Sequence, residues 1–483
     1  MTERVEHLDV VIIGAGLSGI GAAARLRAEH PFKSVALLEA RTATGGTWDL
    51  FRYPGVRSDS DMYTLGFRFR PWRGERSLAA GSDIVRYLRE TAAEHGVEPL
   101  IRLQHRVISA AWDSAAARWT LTVRTPAGEQ TITCTLLWSC AGYYDYSGGH
   151  RPVWAGEERY GGRIVHPQEW PADVDYAGQR VAVIGSGATA VTLVPAMAAS
   201  AAHVTMVQRS PSYVVTLPGR DRLAERLRAR LPARAAYRLI RGKGIALSAL
   251  GYRLSRRFPE RVKRVLVDGV RRQLPPGYDV DRDFTPTYRP WDQRVCFVPD
   301  GDLFAALSSG RASVVTGEIE RFTERGLRMR DGTDVAADLV VTATGLRLLP
   351  FGGVPLTVDG AQVVLPETVA YRALMLGGVP NFVFTVGYTN ASWTLKADLV
   401  ADYVCRLLTE LDSRDERAVV PVPDPRVRRS PFMEFESGYV QRALGLLPQQ
   451  GDRPPWRLRQ NYLADRRTLR RAPIDDGTLR FFA

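Results

Sequence analysis

Cysteine is scarce: Cys134, Cys140, Cys296 and Cys405 are the only four in 483 residues, and no two are in C-x-x-C spacing. That excludes a redox-active dithiol and a thiolate metal centre, and it argues against a disulfide framework. An uninterrupted apolar span is also missing. Residues 181–208 carry no Asp, Glu, Lys or Arg, long enough to suggest a membrane helix. Gly185, Gly187 and Pro195 break the run, so no span is expected. A positive leader is absent too, because Glu3, Glu6 and Asp9 precede the apolar residues 10–24, which predicts no export signal and a cytoplasmic protein. What remains is an ordinary globular composition, 45% apolar and 24% charged, in a chain long enough for two or three domains.

The first positive feature is a nucleotide loop. Val10-Val11-Ile12-Ile13 reads as a buried parallel strand, and Gly14-x-Gly16-x-Ser18-Gly19 follows it directly. Gly14 permits a tight turn, Gly16 admits a pyrophosphate to the backbone, and Gly19 lets a helix pack close to the strand. The helix then turns free N–H groups towards the phosphates. A second apolar strand, residues 34–38, ends at Glu39, where a carboxylate receives ribose hydroxyls. Gly45, Gly46, Thr47, Trp48, Asp49 and Leu50 come next; paired glycines before an aromatic suit a backbone lying along a flat ring.

The design recurs at Val181-Ala182-Val183-Ile184-Gly185-Ser186-Gly187-Ala188-Thr189-Ala190-Val191. Its following strand ends in Gln208-Arg209-Ser210, so the ribose acid is replaced by an amide with a cation beside it. An acid there would repel a 2′-phosphate, whereas Arg209 and Ser210 can bind one. NADPH is expected rather than NADH.

Between the two loops lies Tyr160-x-Gly162-x-x-x-His166-x-x-x-Trp170-Pro171, which resembles the fingerprint of Baeyer–Villiger flavin monooxygenases. Gly-Gly-x-Trp at residues 45–48 and Tyr53-Pro54-Gly55-x-x-x-Asp59 resemble the flavin-side motif of the same family. The resemblance extends from end to end, and four segments narrow it to the ethionamide-activating type: residues 67–72, 290–294, 386–398 and 456–462. It implies FAD and NADPH as cofactors, with Arg57, Ser58 and Asp59 where flavin meets nicotinamide and Val107 holding the adenine through its backbone. It also implies that Arg294 is the essential cation held by Asp59, and that His166 couples domain movement to the flavin from the linker. The implied reaction uses molecular oxygen to turn ketones into esters or lactones and to oxidise sulfur in sulfides and thioamides. A fixed cation serves such a reaction by stabilising the oxyanion that develops. Many members carry Lys-Arg where this chain has Gln293-Arg294, leaving Arg209 more of the coenzyme's charge to bind.

The expected fold class is α/β, with two dinucleotide-binding, Rossmann-like domains. The FAD domain is discontinuous (residues 1–145 and 335–483, the latter including a C-terminal segment), and the NADPH domain (146–334) is inserted within it. Apolar strands at 136–142 and 338–345 mark where the chain leaves and re-enters the FAD domain. A basic helical insertion is expected at about 220–275. Residues 220–272 hold seventeen Lys or Arg against four acids, an excess of 13 that equals the formal net charge of the whole chain. Apolar residues recur there at helical spacing, as in Leu223, Leu227 and Leu231 or Val262, Leu266 and Val270. Three readings stay open: contact with an anionic membrane at its inner face, steering of an anionic ligand, or a solvated face. No nucleic-acid motif accompanies the charge. Two rival functions also stay open, an N- or S-hydroxylating flavin monooxygenase and a membrane-associated flavin redox sensor or scaffold.

Overall fold

A computed structural model describes residues 5–483, so Glu3 lies outside the described residues. The first nucleotide unit is β1 (Glu6–Ile13), α1 (Leu17–Glu29) and β2 (Val35–Glu39). These strands join β3 (Ile101–Leu103), β4 (Arg106–Asp113), β5 (Arg118–Thr125) and β6 (Gly128–Ser139) in one sheet. β3, β2, β1 and β6 run parallel, whereas β5 is antiparallel to both β6 and β4. The β-branched run in β1 is buried on both faces, as a central parallel strand must be. Much later in the chain, Phe382–Phe384 pairs in parallel with residues 137–139 of β6. The helix Trp393–Arg414 then packs on α1. The FAD-type domain is thus closed by the C-terminal part of the chain.

The second sheet is wholly parallel. Ala312–Thr316, β9 (His203–Gln208), β8 (Arg180–Ile184), Leu339–Thr342 and β7 (Arg163–Val165) lie in that order. The uncharged run at 181–208 folds here as β8, the helix Ala188–Met197 and β9. Among the described residues no helix is long and apolar enough to cross a membrane. One boundary needs correcting. Leu339–Thr342 pairs with β8 and β7, so the inserted domain runs through Thr342 rather than ending at 334. An isolated apolar strand does not reveal which sheet it will join.

The basic insertion forms three helices, Arg222–Arg230, Ala233–Arg257 and Pro259–Arg271. Not all of its charge is on the surface. Arg241 is 6% exposed, donates to the carbonyls of Tyr63 (2.9 Å) and Gly66 (2.7 Å), and pairs with Asp398 at 3.0 Å. Removing one partner of such a buried pair costs about 3–5 kcal/mol. Arg241 therefore anchors the middle helix to the FAD-type domain. The outer face of that helix carries Leu239, Leu247, Leu250 and Leu254, all exposed.

Candidate active site

Strand ends build the site. A cavity of about 750 Å³ runs from the first glycine turn to the second. Gly14, Gly16, Ser18, Glu39, Gly46, Thr47 and Trp48 line it, as do Arg57, Ser58, Asp59 and Val107. Gly187, Ala188, Thr189 and Arg294 complete it from the inserted domain. Gly14 needs its residue type: its φ is +101°, and a Cβ there would meet the Cys140 carbonyl oxygen at 2.9 Å. A Cβ built on Gly16 would come to 3.4 Å from the Gly46 Cα, so two glycine turns face one another with no side chain between them.

These residues fit a dinucleotide. Glu39 ends β2 and accepts from the N–H groups of Ala15 (2.8 Å) and Arg41 (2.9 Å). Each carboxylate oxygen retains acceptor capacity for a ribose hydroxyl. Ser18 accepts from the Trp393 indole N–H at 2.7 Å, which ties the start of α1 to the C-terminal helix. A register shift between Val107 and Ser109 interrupts the ladder beside the cavity. Such a bulge releases backbone groups from pairing.

Arg294 precedes the strand Val295–Pro299 and donates to Asp59 at 2.8 Å. The two side chains are 32% and 39% exposed, and both line the cavity. Tyr439 together with Asp59, Tyr143 and Tyr144 holds the guanidinium well above its ordinary pKa, against the opposing effect of burial. It stays cationic throughout the working pH range. Two residues on, burial pushes the Cys296 thiol up to about 12, so it is a neutral wall and not a nucleophile. Arg57 is fastened to Asp302 by contacts of 2.5 and 3.4 Å, a clasp between the two domains.

Several expected site residues lie off the cavity. His166 uses both ring nitrogens: Nδ1 accepts from the Gln168 N–H at 3.1 Å, and Nε2 faces the Gly345 carbonyl at 3.2 Å. Burial lowers its pKa. It is a strut between the linker and the end of Leu339–Thr342, away from the reacting space. Asp49 is buried beneath Arg41 (2.8 Å) and Arg89 (2.9 Å), bracing the turn from behind, and Leu50 does not reach the cavity. Gly19 packs behind the first turn, where a Cβ would lie 1.9 Å from the Gly14 carbonyl oxygen. Gly185 does the same behind the second turn, 2.3 Å from the Ala343 carbonyl oxygen. Ala190 and Val191 are buried under the helix start.

Beyond β9 the order of residues matters. Gln208 is buried and donates to the Asp283 carbonyl (2.7 Å) and to Thr316 (2.9 Å). It therefore belongs to the core, while Arg209 and Ser210 are exposed at the strand end. Ser186 donates to the Ser210 carbonyl at 2.9 Å, joining loop to strand end.

Sequence reasoning missed Tyr143, Tyr144, Tyr146 and Tyr439, all of which line the cavity. Tyr146 and Thr47 hydroxyls lie 3.0 Å apart. The cluster at 143–146 directly follows the Gly142 strand end, which was an available signal. Tyr439 had none.

Comparison with known proteins gives the family of the chain. Residues 12–72 match the NAD(P)-binding Rossmann-like domain, and residues 77–221 match the flavin-binding monooxygenase-like family. The chain is 53% identical over 478 residues to the FAD-containing monooxygenase EthA of Mycobacterium tuberculosis, covering 99% of this chain and 98% of that protein. It is 50% identical over 486 residues to the putative FAD-containing monooxygenase MymA of the same organism, with coverage of 99% and 98%. Among solved structures, an oxidised steroid monooxygenase bound to NADP superposes with a TM-score of 0.76 at 22% identity, over 99% of each chain. Cyclohexanone monooxygenase from Rhodococcus sp. Phi1 bound to NADP+ gives 0.72 at 19% identity, over 87% of each chain; at such identities the likeness concerns the fold alone. With nearly the whole chain matched at about half identity, the protein belongs to the FAD-containing, flavin-binding monooxygenases.

Proposed function

We propose that this flavoprotein takes electrons from NADPH and inserts one oxygen atom of O2 into ketones to give esters or lactones, and that it also oxidises sulfur in sulfides and thioamides. The observation that carries the reading is the Arg294–Asp59 pair on the wall of a cavity shared by both glycine turns. FAD, when bound, supplies the carrier that accepts hydride from the nicotinamide and activates oxygen. Arg294 provides a fixed positive charge where a carbonyl oxygen gains negative charge, and Asp59 sets its direction. Tyr143, Tyr144 and Tyr439 wall the same space, and limiting water there strengthens that field.

The test is incubation of purified holoenzyme with NADPH, O2 and a simple ketone. Ester is the expected product. Sulfoxide from a sulfide, with no ester from any ketone, would select the N- or S-hydroxylating reading. Slow hydrogen peroxide release without organic product would select the redox sensor or scaffold.

Coenzyme choice rests on the buried Gln208 and the exposed Arg209. Arg209→Ala is expected to raise the Michaelis constant for NADPH severalfold and to leave NADH use nearly unchanged. Equal losses with both coenzymes would remove Arg209 from the 2′-phosphate site.

The exposed leucines favour a second role for the basic insertion, as a peripheral contact with anionic lipid. Arg234, Arg238, Arg257, Arg261 and Arg264 are exposed on the same insertion, and basic amphipathic helices lie on acidic bilayers. Binding to phosphatidylserine vesicles should be present at low salt and fade as the screening length shortens. Indifference to such vesicles at low salt would leave the insertion as a solvated face.

A further inference from the structure

A second cavity, of about 440 Å³, lies on the other side of the segment that walls the main one. Its volume is within the range of roughly 300–1,000 Å³ usual for small-molecule sites. Ala391 lines both cavities. Around it, Tyr388 and Trp393 face the main cavity, and Asn390 and Leu395 face the second. A smaller space of about 70 Å³ shares Tyr252, Asn390 and Arg457 with the second cavity and reaches Trp291, three residues before Arg294. Tyr252 meets Trp291 edge to face at 6.1 Å. The second cavity therefore shares a wall with the reacting space at Ala391.

Its lining is of two kinds. Ile245, Ser248, Ala249 and Tyr252 follow the i, i+3, i+4, i+7 spacing of one helical face, and Leu395 and Leu458 add to that largely apolar wall. Against it stand Arg253, Arg457 and Arg459, exposed and without any ionic or hydrogen-bonded side-chain partner among the described residues. The other charges of the lining are mostly committed: Arg453 pairs with Asp424 at 3.2 Å and Asp452 with Arg428 at 3.0 Å. Glu434 alone opposes the three free arginines, and it accepts from the Gln450 amide at 3.2 Å.

A largely apolar trough that carries unpaired guanidinium groups and shares the Ala391 wall with the oxygenation cavity fits an amphiphile. We infer that the substrates best suited to this enzyme are long-chain ketones bearing a terminal carboxylate, with the carboxylate on Arg253, Arg457 and Arg459 and the alkyl stem running past Ala391 to Arg294. Guanidinium forks match carboxylate geometry, and an alkyl chain is what the tyrosine and leucine wall can accept. The inference deepens the ketone-oxidising reading and rests on it for the chemistry, though not for the binding.

The experiment uses holoenzyme and three probes: a medium-chain alkyl methyl ketone, its counterpart of equal length ending in carboxylate, and the saturated fatty acid of that length. The keto acid should show the lower KM. In the variant Arg253→Gln/Arg457→Gln/Arg459→Gln its KM should rise at least about tenfold with kcat kept, as expected when charge-assisted hydrogen bonds are lost. The neutral ketone should be unaffected. Calorimetry should detect the fatty acid on the wild type and not on the variant. Ala249→Trp, which fills the trough and leaves all three guanidinium groups present, should weaken the fatty acid while sparing a short ketone. A wild type that ignores the fatty acid, or a triple variant that changes acid and neutral ketone alike, would overturn the inference. Fatty-acid binding lost in the variant, with no ester from any ketone, would keep the site and sink the ketone chemistry instead.

Discussion

Arg294→Ala is expected to lower ester formation at least roughly a hundredfold, the usual cost of removing one stabiliser of a developing oxyanion, while the protein keeps its FAD. The cradle proposed for that nucleotide comprises Gly14, Gly16, Gly46 and Glu39, none of which is hydrogen-bonded to Arg294, so binding should survive. The guanidinium is one-third exposed, and that exposure is towards the cavity. Its loss therefore removes positive charge from the reacting space rather than from the core. Asp59→Ala should act in the same direction and more weakly, because it leaves the cation present but free to turn. Stopped-flow absorbance reads flavin reduction while chromatography reads ester, so the two steps separate. An Arg294→Ala enzyme that makes ester at the wild-type rate would put the chemistry elsewhere.

Gly19→Val is expected to yield protein without FAD. A Cβ at Gly19 would lie 1.9 Å from the Gly14 carbonyl oxygen and 3.5 Å from an Ile12 methyl. The helix would have to leave the strand, taking with it the N–H groups that would face a pyrophosphate. Gly187→Ala provides the contrast. Nothing lies within 4 Å of a Cβ built there, and the φ of −81° suits any residue. That variant should fold and carry FAD, but bind NADPH more weakly because the methyl enters the space a phosphate would use. The flavin absorbance of purified protein and the Michaelis constant for NADPH check the pair. Wild-type flavin content in Gly19→Val would falsify the packing argument.

Both glycine turns were legible because their chemistry is local: a strand, a tight turn and a helix start fall within about ten residues. The Arg294–Asp59 pair, 235 residues apart, was legible only through family resemblance, since no spacing rule joins such distant positions. Other features were hidden for physical reasons. Gln208 reads as a ribose contact by position, yet its side chain is turned into the core by Asp283 and Thr316. Arg241 reads as surface charge by composition, yet three carbonyls and Asp398 bury it. The placing of Tyr439 and the second cavity both arise where segments remote in sequence meet, and only the assembled chain brings them together.

The pairing of Phe382–Phe384 with β6, and the bond from Trp393 to Ser18 across 375 residues, bear on biosynthesis. As the chain leaves the ribosome, the inserted sheet has all its strands once Thr342 has emerged. The sheet that cradles FAD has its first six strands much earlier, but it lacks the strand along β6 and the helix on α1 until residue 414 is free. Secure capture of the flavin therefore awaits nearly complete synthesis, whereas the coenzyme domain can fold ahead of it. A chain truncated before residue 380 should emerge able to hold NADPH and unable to retain its flavin.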